Sequence, residues 1–210
     1  MQLIARSNDT EPVKTNFGDE AKIVIVDSGV HHHISAGEYQ KRRGECEELA
    51  AHFQVESLRN LQKKLPQLEE LCKGKSYRLS SKNILFIEAS TALSETHAKR
   101  LRHILTENQR VLEATQAMTS ADFPKLGQLM QQSHASLRDD YEVSCKEINE
   151  LVNISMSVDG VYGARITGGG FGGSIVALVK PSAVINLINA IDVRFFEKNL
   201  TKTTATQSNN

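Results

Sequence analysis

Residues 163–173 read Gly-Ala-Arg-Ile-Thr-Gly-Gly-Gly-Phe-Gly-Gly, and so hold six of the chain's 13 glycines in eleven positions. Each glycine loses more backbone freedom on ordering than any other residue, so such a run is costly to fix. It belongs where the backbone takes positive φ or where another group must come close. Two apolar runs bracket it: Gly160-Val161-Tyr162 before, and Ser174-Ile175-Val176-Ala177-Leu178-Val179 after. The β-branched content of the second predicts a strand. The segment therefore predicts strand, glycine loop, strand. A plain hairpin or bulge and a backbone cradle for a phosphate both answer to this spacing. Neither Gly-x-Gly-x-x-Gly after a strand nor Gly-x-x-x-x-Gly-Lys-Ser/Thr is present, so those two nucleotide signatures are excluded.

Strands and helices fall in separate runs along the chain. Leu3-Ile4 and Lys22–Asp27 predict strands on either side of a polar turn region from Ser7 to Glu20. The second, Lys-Ile-Val-Ile-Val-Asp, is expected to be buried on both faces. From Glu38 the apolar spacing becomes helical, with Tyr39, Cys46, Leu49, Ala50 and Phe53 on one face and Arg42 and Arg43 on or beside it. A long helix beginning near His97 carries Leu101, Ile104, Leu105, Val111, Leu112 and Met118. Ser120-Ala121-Asp122 starts another, with Pro124 in its first turn and Phe123, Leu126, Met130, His134 and Leu137 following. A helix from about Ser144 passes through Ile148, Leu151 and Val152. Pro181 introduces the last, with Val184, Leu187, Ile188, Ile191 and Phe195. Residues 56–96 carry no clear period, and the tail from Thr201 to Asn210 ends polar. The fold class is α+β, an antiparallel sheet packed by helices.

Composition narrows function by exclusion. Lys plus Arg and Asp plus Glu number 25 each, so no net basic field invites nucleic acid or an anionic membrane. No apolar run reaches the length of a membrane span, and the first residues lack the plan of a signal peptide. Three scattered cysteines, Cys46, Cys72 and Cys145, read as reduced thiols and point to the cytoplasm. His31-His32-His33 offers at most two convergent ligands in an extended segment, and no carboxylate or cysteine at ligand spacing completes a metal site.

Three stretches carry a resemblance. Residues 163–173 closely resemble the third signature motif of galactokinases, in the GHMP small-molecule kinase superfamily. Ser-His-Ala-Ser-Leu-Arg-Asp-Asp-Tyr-Glu-Val-Ser-Cys at 133–145 is similar to a second galactokinase stretch. Asp27-Ser28-Gly29-Val30-His31-His32 with Glu38-Tyr39-Gln40-Lys41-Arg42-Arg43 is similar to a third, in matching order and separation. The sequence departs mildly at Gly29, where the family has Asn, at His31, often Arg, and at Gly37, in place of a small Ser. It also stops short of the family's last strand.

The resemblance implies a GHMP kinase C-terminal domain at 28–210, with 1–27 as interface strands remaining from an N-terminal domain. It implies ATP-dependent phosphorylation of galactose at its anomeric hydroxyl, with Mg²⁺. Tyr39 matches the tyrosine that contacts galactose. Arg165, Thr167, Gly168, Gly169, Gly170, Gly172 and Gly173 match the loop that closes over sugar and phosphates. The family's catalytic aspartate and phosphate loop lie in its N-terminal half; no Gly-x-Gly-Leu-Ser-Ser-Ser-Ala or Cys-Gly-x-Met-Asp-Gln stretch occurs here, and Asp27, Asp139 and Asp140 match other positions. So no catalytic residue is assigned, the missing half is an expected partner, and the chain alone is expected to be a poor kinase. Arg138–Asp139 is expected to be a structural ion pair, and Arg42 and Arg43 to cover an interface or sheet. An N-acetylgalactosamine kinase, a non-catalytic sugar- and nucleotide-sensing regulator of the same fold, and the product of a truncated gene are the alternatives.

Overall fold

A computed structural model describes residues 2–3, 10–11, 13, 15, 17–30, 36–64 and 93–197. They form two compact units, each built from separated stretches. The described parts of 1–32, 112–134 and 143–210 make one; those of 33–111 and 135–142 make the other.

The first unit holds an antiparallel sheet ordered β3-β5-β4, from β3 (Lys22–Asp27), β4 (Val161–Thr167) and β5 (Ser174–Val179). The central strand is the most apolar, and Ile175, Ala177, Leu178 and Val179 are all buried in it. Every residue of β3 pairs with one of β5, from Lys22 opposite Val179 to Asp27 opposite Ser174. Burial of β3 on both faces does not hold: Ile23 and Ile25 are 54% and 69% exposed. Among the described residues β3 has a strand on one side only, and an edge position gives its alternate side chains no cover. A short pair, β1 (Gln2–Leu3) with β2 (Thr10–Glu11), falls partly where a polar turn was expected; Ile4 lies outside the described residues.

Helix α4 (Lys146–Met156) packs on β4 and β5 and on α5 (Val184–Ile191). Its Ile148, Leu151, Val152 and Ile154 are buried, as are Leu187, Ile191 and Phe195 beyond it. Each such side chain contributes about 1.5–3 kcal/mol of burial. Pro181 opens this last segment through a single tight turn, Pro181–Ala183, while Ile188 faces outward at 45% exposure. Residues 198–210 lie outside the described residues.

On α3 (Phe123–Asp139) the expected start is present: the Asp122 carboxylate accepts the Lys125 N–H at 3.0 Å, and Pro124 occupies the first turn. Phe123 and Leu126 join Ala117, Ala21 and Leu178 in one core cluster. Helix α3 meets β4 through two glycines. A Cβ on Gly127 would collide with the Tyr162 carbonyl, and one on Gly163 with the Gly127 backbone.

In the second unit α1 (Ala36–His52), the 3₁₀ turn Leu58–Lys64 and the first part of α2 (Glu95–Thr119) share a core of Leu49, Phe53, Leu58, Leu61, Leu101 and Leu105. The Ser94 hydroxyl accepts the His97 N–H at 3.1 Å and caps α2. The expected stripe on α2 breaks at Val111 and Leu112, 39% and 46% exposed. There the helix passes from one unit to the other, and Ala114, Ala117 and Met118 take over the packing.

Candidate functional site

Strand β4 continues through Arg165, Ile166 and Thr167, so the loop proper is Gly168–Gly173 and two of the expected loop residues stand on the strand. Thr167 pairs with Ser174 across the hairpin, and Ser174 with Asp27 on the other side, which lines up two hydroxyls and a carboxylate beside the loop. One row back, Arg165, Val176 and Ile25 are neighbours in the same way. The Arg165 Nε donates to the Ile166 carbonyl at 3.0 Å.

Positive φ explains the glycines. Gly168 and Gly170 lie at +89°, Gly172 at +137° and Gly173 at +79°. Gly170 has a second reason: a Cβ there would stand 2.6 Å from the Val143 carbonyl oxygen and 2.8 Å from its Cβ. Two anchors hold the loop. The Phe171 N–H donates to Val143 O at 2.6 Å; Gly173 accepts from Ser28 N–H at 2.9 Å and donates to Val30 O at 3.0 Å. Thr167, Gly168 and Gly169 are exposed, whereas Gly172 is buried. The loop is thus tied at its return side and open at its leading side.

In the other unit, Tyr39 stands in the first turn of α1 at 59% exposure. It does not join the Leu49–Phe53 core, although helical spacing put it on that face. Arg42 and Arg43, expected together, separate. Arg42 is buried; its Nε donates to Tyr141 O at 2.7 Å and its Nη2 to Glu142 O at 3.1 Å. Arg43 is exposed and bonds Glu47 on its own helix at 2.7 Å. Arg138 and Asp139 form the expected pair, with two contacts of 2.7 Å.

Sequence reasoning missed Arg100. It is 1% exposed, donates through Nε to Glu45 at 2.6 Å and through Nη2 to Glu142 at 2.8 Å, and also reaches the Asp140 carbonyl. These contacts hold Glu142 at φ +56°, a conformation that costs a residue with a side chain about 1–2 kcal/mol. The Arg100 bond holds the Glu142 carboxyl below its usual range, against the opposing effect of burial and with help from Lys99. His103 bonds Ser136 at 2.9 Å and stacks on Tyr141 with ring centroids 4.4 Å apart. No sequence period marks Arg100, because its partners lie on other elements. Gly127 did carry a signal, as an isolated glycine inside a helical pattern.

Burial pushes the thiols of Cys46 and Cys145 up, which disfavours the reactive thiolate. His31–His33 and Cys72 lie outside the described residues. No described helix is long and apolar enough to cross a membrane.

Residues 111–198 match the family model described as GHMP kinases C terminal. Over these residues the fold is that of a GHMP kinase C-terminal domain. Among curated proteins this chain is 40% identical over 197 residues to the galactokinase of Actinobacillus succinogenes, covering 93% of the chain and 46% of that protein. Against the galactokinase of Bos taurus it is 41% identical over 174 residues, 82% of the chain and 39% of the relative. The crystal structure of Lactococcus lactis galactokinase complexed with galactose matches with a TM-score of 0.70 and 29% identity, over 90% of this chain and 44% of that one. The L. major mevalonate kinase, at 18% identity and a TM-score of 0.52, shares the fold alone. The chain spans about half the length of the curated relatives it matches. The expected fold and its galactokinase resemblance therefore hold.

Proposed function

We propose that this domain supplies one wall of a galactose 1-kinase, in which the γ-phosphoryl of ATP passes to the anomeric hydroxyl of galactose. The observation that carries this reading is 40% identity to a galactokinase across 93% of the chain. In the reaction the sugar O–P bond forms as the bond to the ADP oxygen breaks, and the hydroxyl proton leaves to a base. The residues of this chain bind and orient. The exposed Tyr39 ring and hydroxyl would take a sugar face and one of its hydroxyls. Gly168 and Gly169, without Cβ atoms, would let ligand oxygens approach the backbone, with Arg165, Thr167, Gly170, Gly172 and Gly173 shaping the loop.

ATP and Mg²⁺ belong to this proposal as cofactors of the complete reaction. Among the described residues no three His, Cys, Asp or Glu side chains come together as a metal cluster; Mg²⁺ in such reactions is held largely by the substrate phosphates with one or two carboxylates. The partner is the further segment that a galactokinase of full length would add, packed along the exposed Ile23 and Ile25 edge. The 210-residue chain alone then has little or no kinase activity.

The test is ligand titration followed by nuclear magnetic resonance, with galactose, N-acetylgalactosamine and glucose, beside an assay for sugar 1-phosphate with Mg-ATP. Shifts at the loop amides with galactose, and not with the other two sugars, are expected. A preference for N-acetylgalactosamine reassigns the substrate, and substantial galactose 1-phosphate from the chain alone overturns the division of labour.

A further inference from the structure

The glycine loop has little of its own to hold its shape. Gly168–Gly173 carries five glycines and a single side chain, so what fixes it must come from other segments. One such support is the short turn that ends β3. Asp27 opposite Ser174 is the last rung of the β3–β5 ladder, and Ser28 would face Gly173 on the next. Half of that rung forms, since the Ser28 N–H donates to the Gly173 carbonyl at 2.9 Å. The other half is exchanged. The Gly173 N–H donates to Val30 O at 3.0 Å, two residues beyond the Ser28 carbonyl that a straight strand would offer. Val30 reaches that place because the chain curls, and two consecutive side chains hold the curl. The Asp27 carboxylate accepts the Gly29 N–H at 3.0 Å, and the Ser28 hydroxyl accepts the Val30 N–H at 3.1 Å. Gly29 stands between them at φ +68°. Ser28 is buried, whereas Asp27 is exposed.

We propose that Asp27 and Ser28 are positioning residues for the glycine loop. Their side chains bend the end of β3 so that Gly173 is held through both its N–H and its carbonyl. That fixes the return side of the loop beside Ser174, the cross-strand partner of Thr167, and so sets the presentation of Gly168 and Gly169. The loop then meets its ligand without the ordering cost of a free glycine segment. The role in sugar binding rests on the function proposed above; the role in fixing the loop does not.

The experiment compares Ser28→Ala, Ser28→Thr, Asp27→Ala and Asp27→Asn in the 210-residue protein, by amide hydrogen exchange and by galactose titration. Ser28→Ala removes the acceptor of the Val30 N–H but neither of the bonds to Gly173, so the Gly173 amide is the one that decides. Its exchange is expected to rise about fivefold in each alanine variant, while Ala164 and Ala177, in the strands, keep their protection. Ser28→Thr and Asp27→Asn keep an acceptor oxygen and should restore it. Should the buried Ser28→Ala fail to fold, the exposed Asp27→Ala decides alone. Unchanged exchange at Gly173, with the ladder running one rung further, overturns the proposal. So does a rise shared equally by Ala164 and Ala177, which reports general loosening. Galactose affinity is expected to fall about fivefold in Ser28→Ala and to recover in Ser28→Thr. If exchange responds as stated but galactose fails to bind the unmodified protein, or binds Ser28→Ala equally well, the positioning role stands and the sugar-site reading fails.

Discussion

Single atoms decide the fit of α3 on β4. Gly127 and Gly163 face each other with backbone where side chains would be, so Gly127→Ala or Gly163→Ala forces helix and strand apart. Each is expected to cost roughly 3 kcal/mol in urea unfolding, at the upper end of overpacking effects. The double variant should cost less than the sum, since the first separation makes room for the second. Gly44→Ala is the control. It lies inside α1 with nothing near its Cβ position, and should stabilise by about 1 kcal/mol. Tyr141 supplies a pH prediction. Burial, then the neighbouring Cys46, pushes its phenol up to about 12. The folded protein therefore holds this proton more tightly than the unfolded chain does. Its contribution is complete below pH of about 10 and declines as pH rises towards the folded value. An ultraviolet titration at the phenolate band should show one late tyrosine, absent in Tyr141→Phe.

At the scale of elements, the turn at 140–142 is held to α1 and α2 by Arg42 and Arg100. Arg100→Ala removes the shorter of two cation contacts to the largely buried Glu45, leaving Arg42 at 3.7 Å, and is expected to cost about 3 kcal/mol by chemical denaturation. Glu142 gives the acid counterpart. Its carboxyl is held low, so the stability it adds is present above about pH 4.3 and is lost as pH falls through its folded value. Glu142→Gln should flatten that limb of the stability curve. The edge strand β3 calls for a different measurement. Ile23→Thr with Ile25→Thr should reduce self-association in light scattering while leaving the circular dichroism spectrum unchanged, because both side chains are exposed.

These elements also show what a sequence can carry. Period placed α2, α3 and α4 to within a few residues, with Asp122 and Pro124 as local start signals for α3, whereas the Ser94 cap of α2 went unread. The hairpin was legible from β-branched residues around glycines. Burial of β3 was misjudged because an apolar run does not say whether a strand lies at an edge. Arg100 was invisible, since its carboxylate partners sit about 40 and 55 residues away. For the candidate site, the loop's need for glycine was readable, but its anchors at Val143, Ser28 and Val30 arise from the fold.

The whole molecule is not a string of independent pieces. Both units draw on separated stretches, and α2 and α3 each contribute to both. No single cut divides the chain into its two units, so truncation at any one point damages at least one of them. Refolding followed by hydrogen-exchange labelling should show the amides of α4, β4 and β5 protected before those of β3; early protection of Ile23 and Ile25 would contradict this order. The reason is distance along the chain: β3 finds its only described neighbour roughly 150 residues later. That separation has a cellular meaning. During synthesis Lys22–Asp27 leaves the ribosome long before Ser174–Val179 exists, a wait on the order of ten seconds at ordinary elongation rates. For that interval an apolar strand has no sheet to join, which makes it a natural site for chaperone binding and the segment most exposed to pairing with the wrong chain.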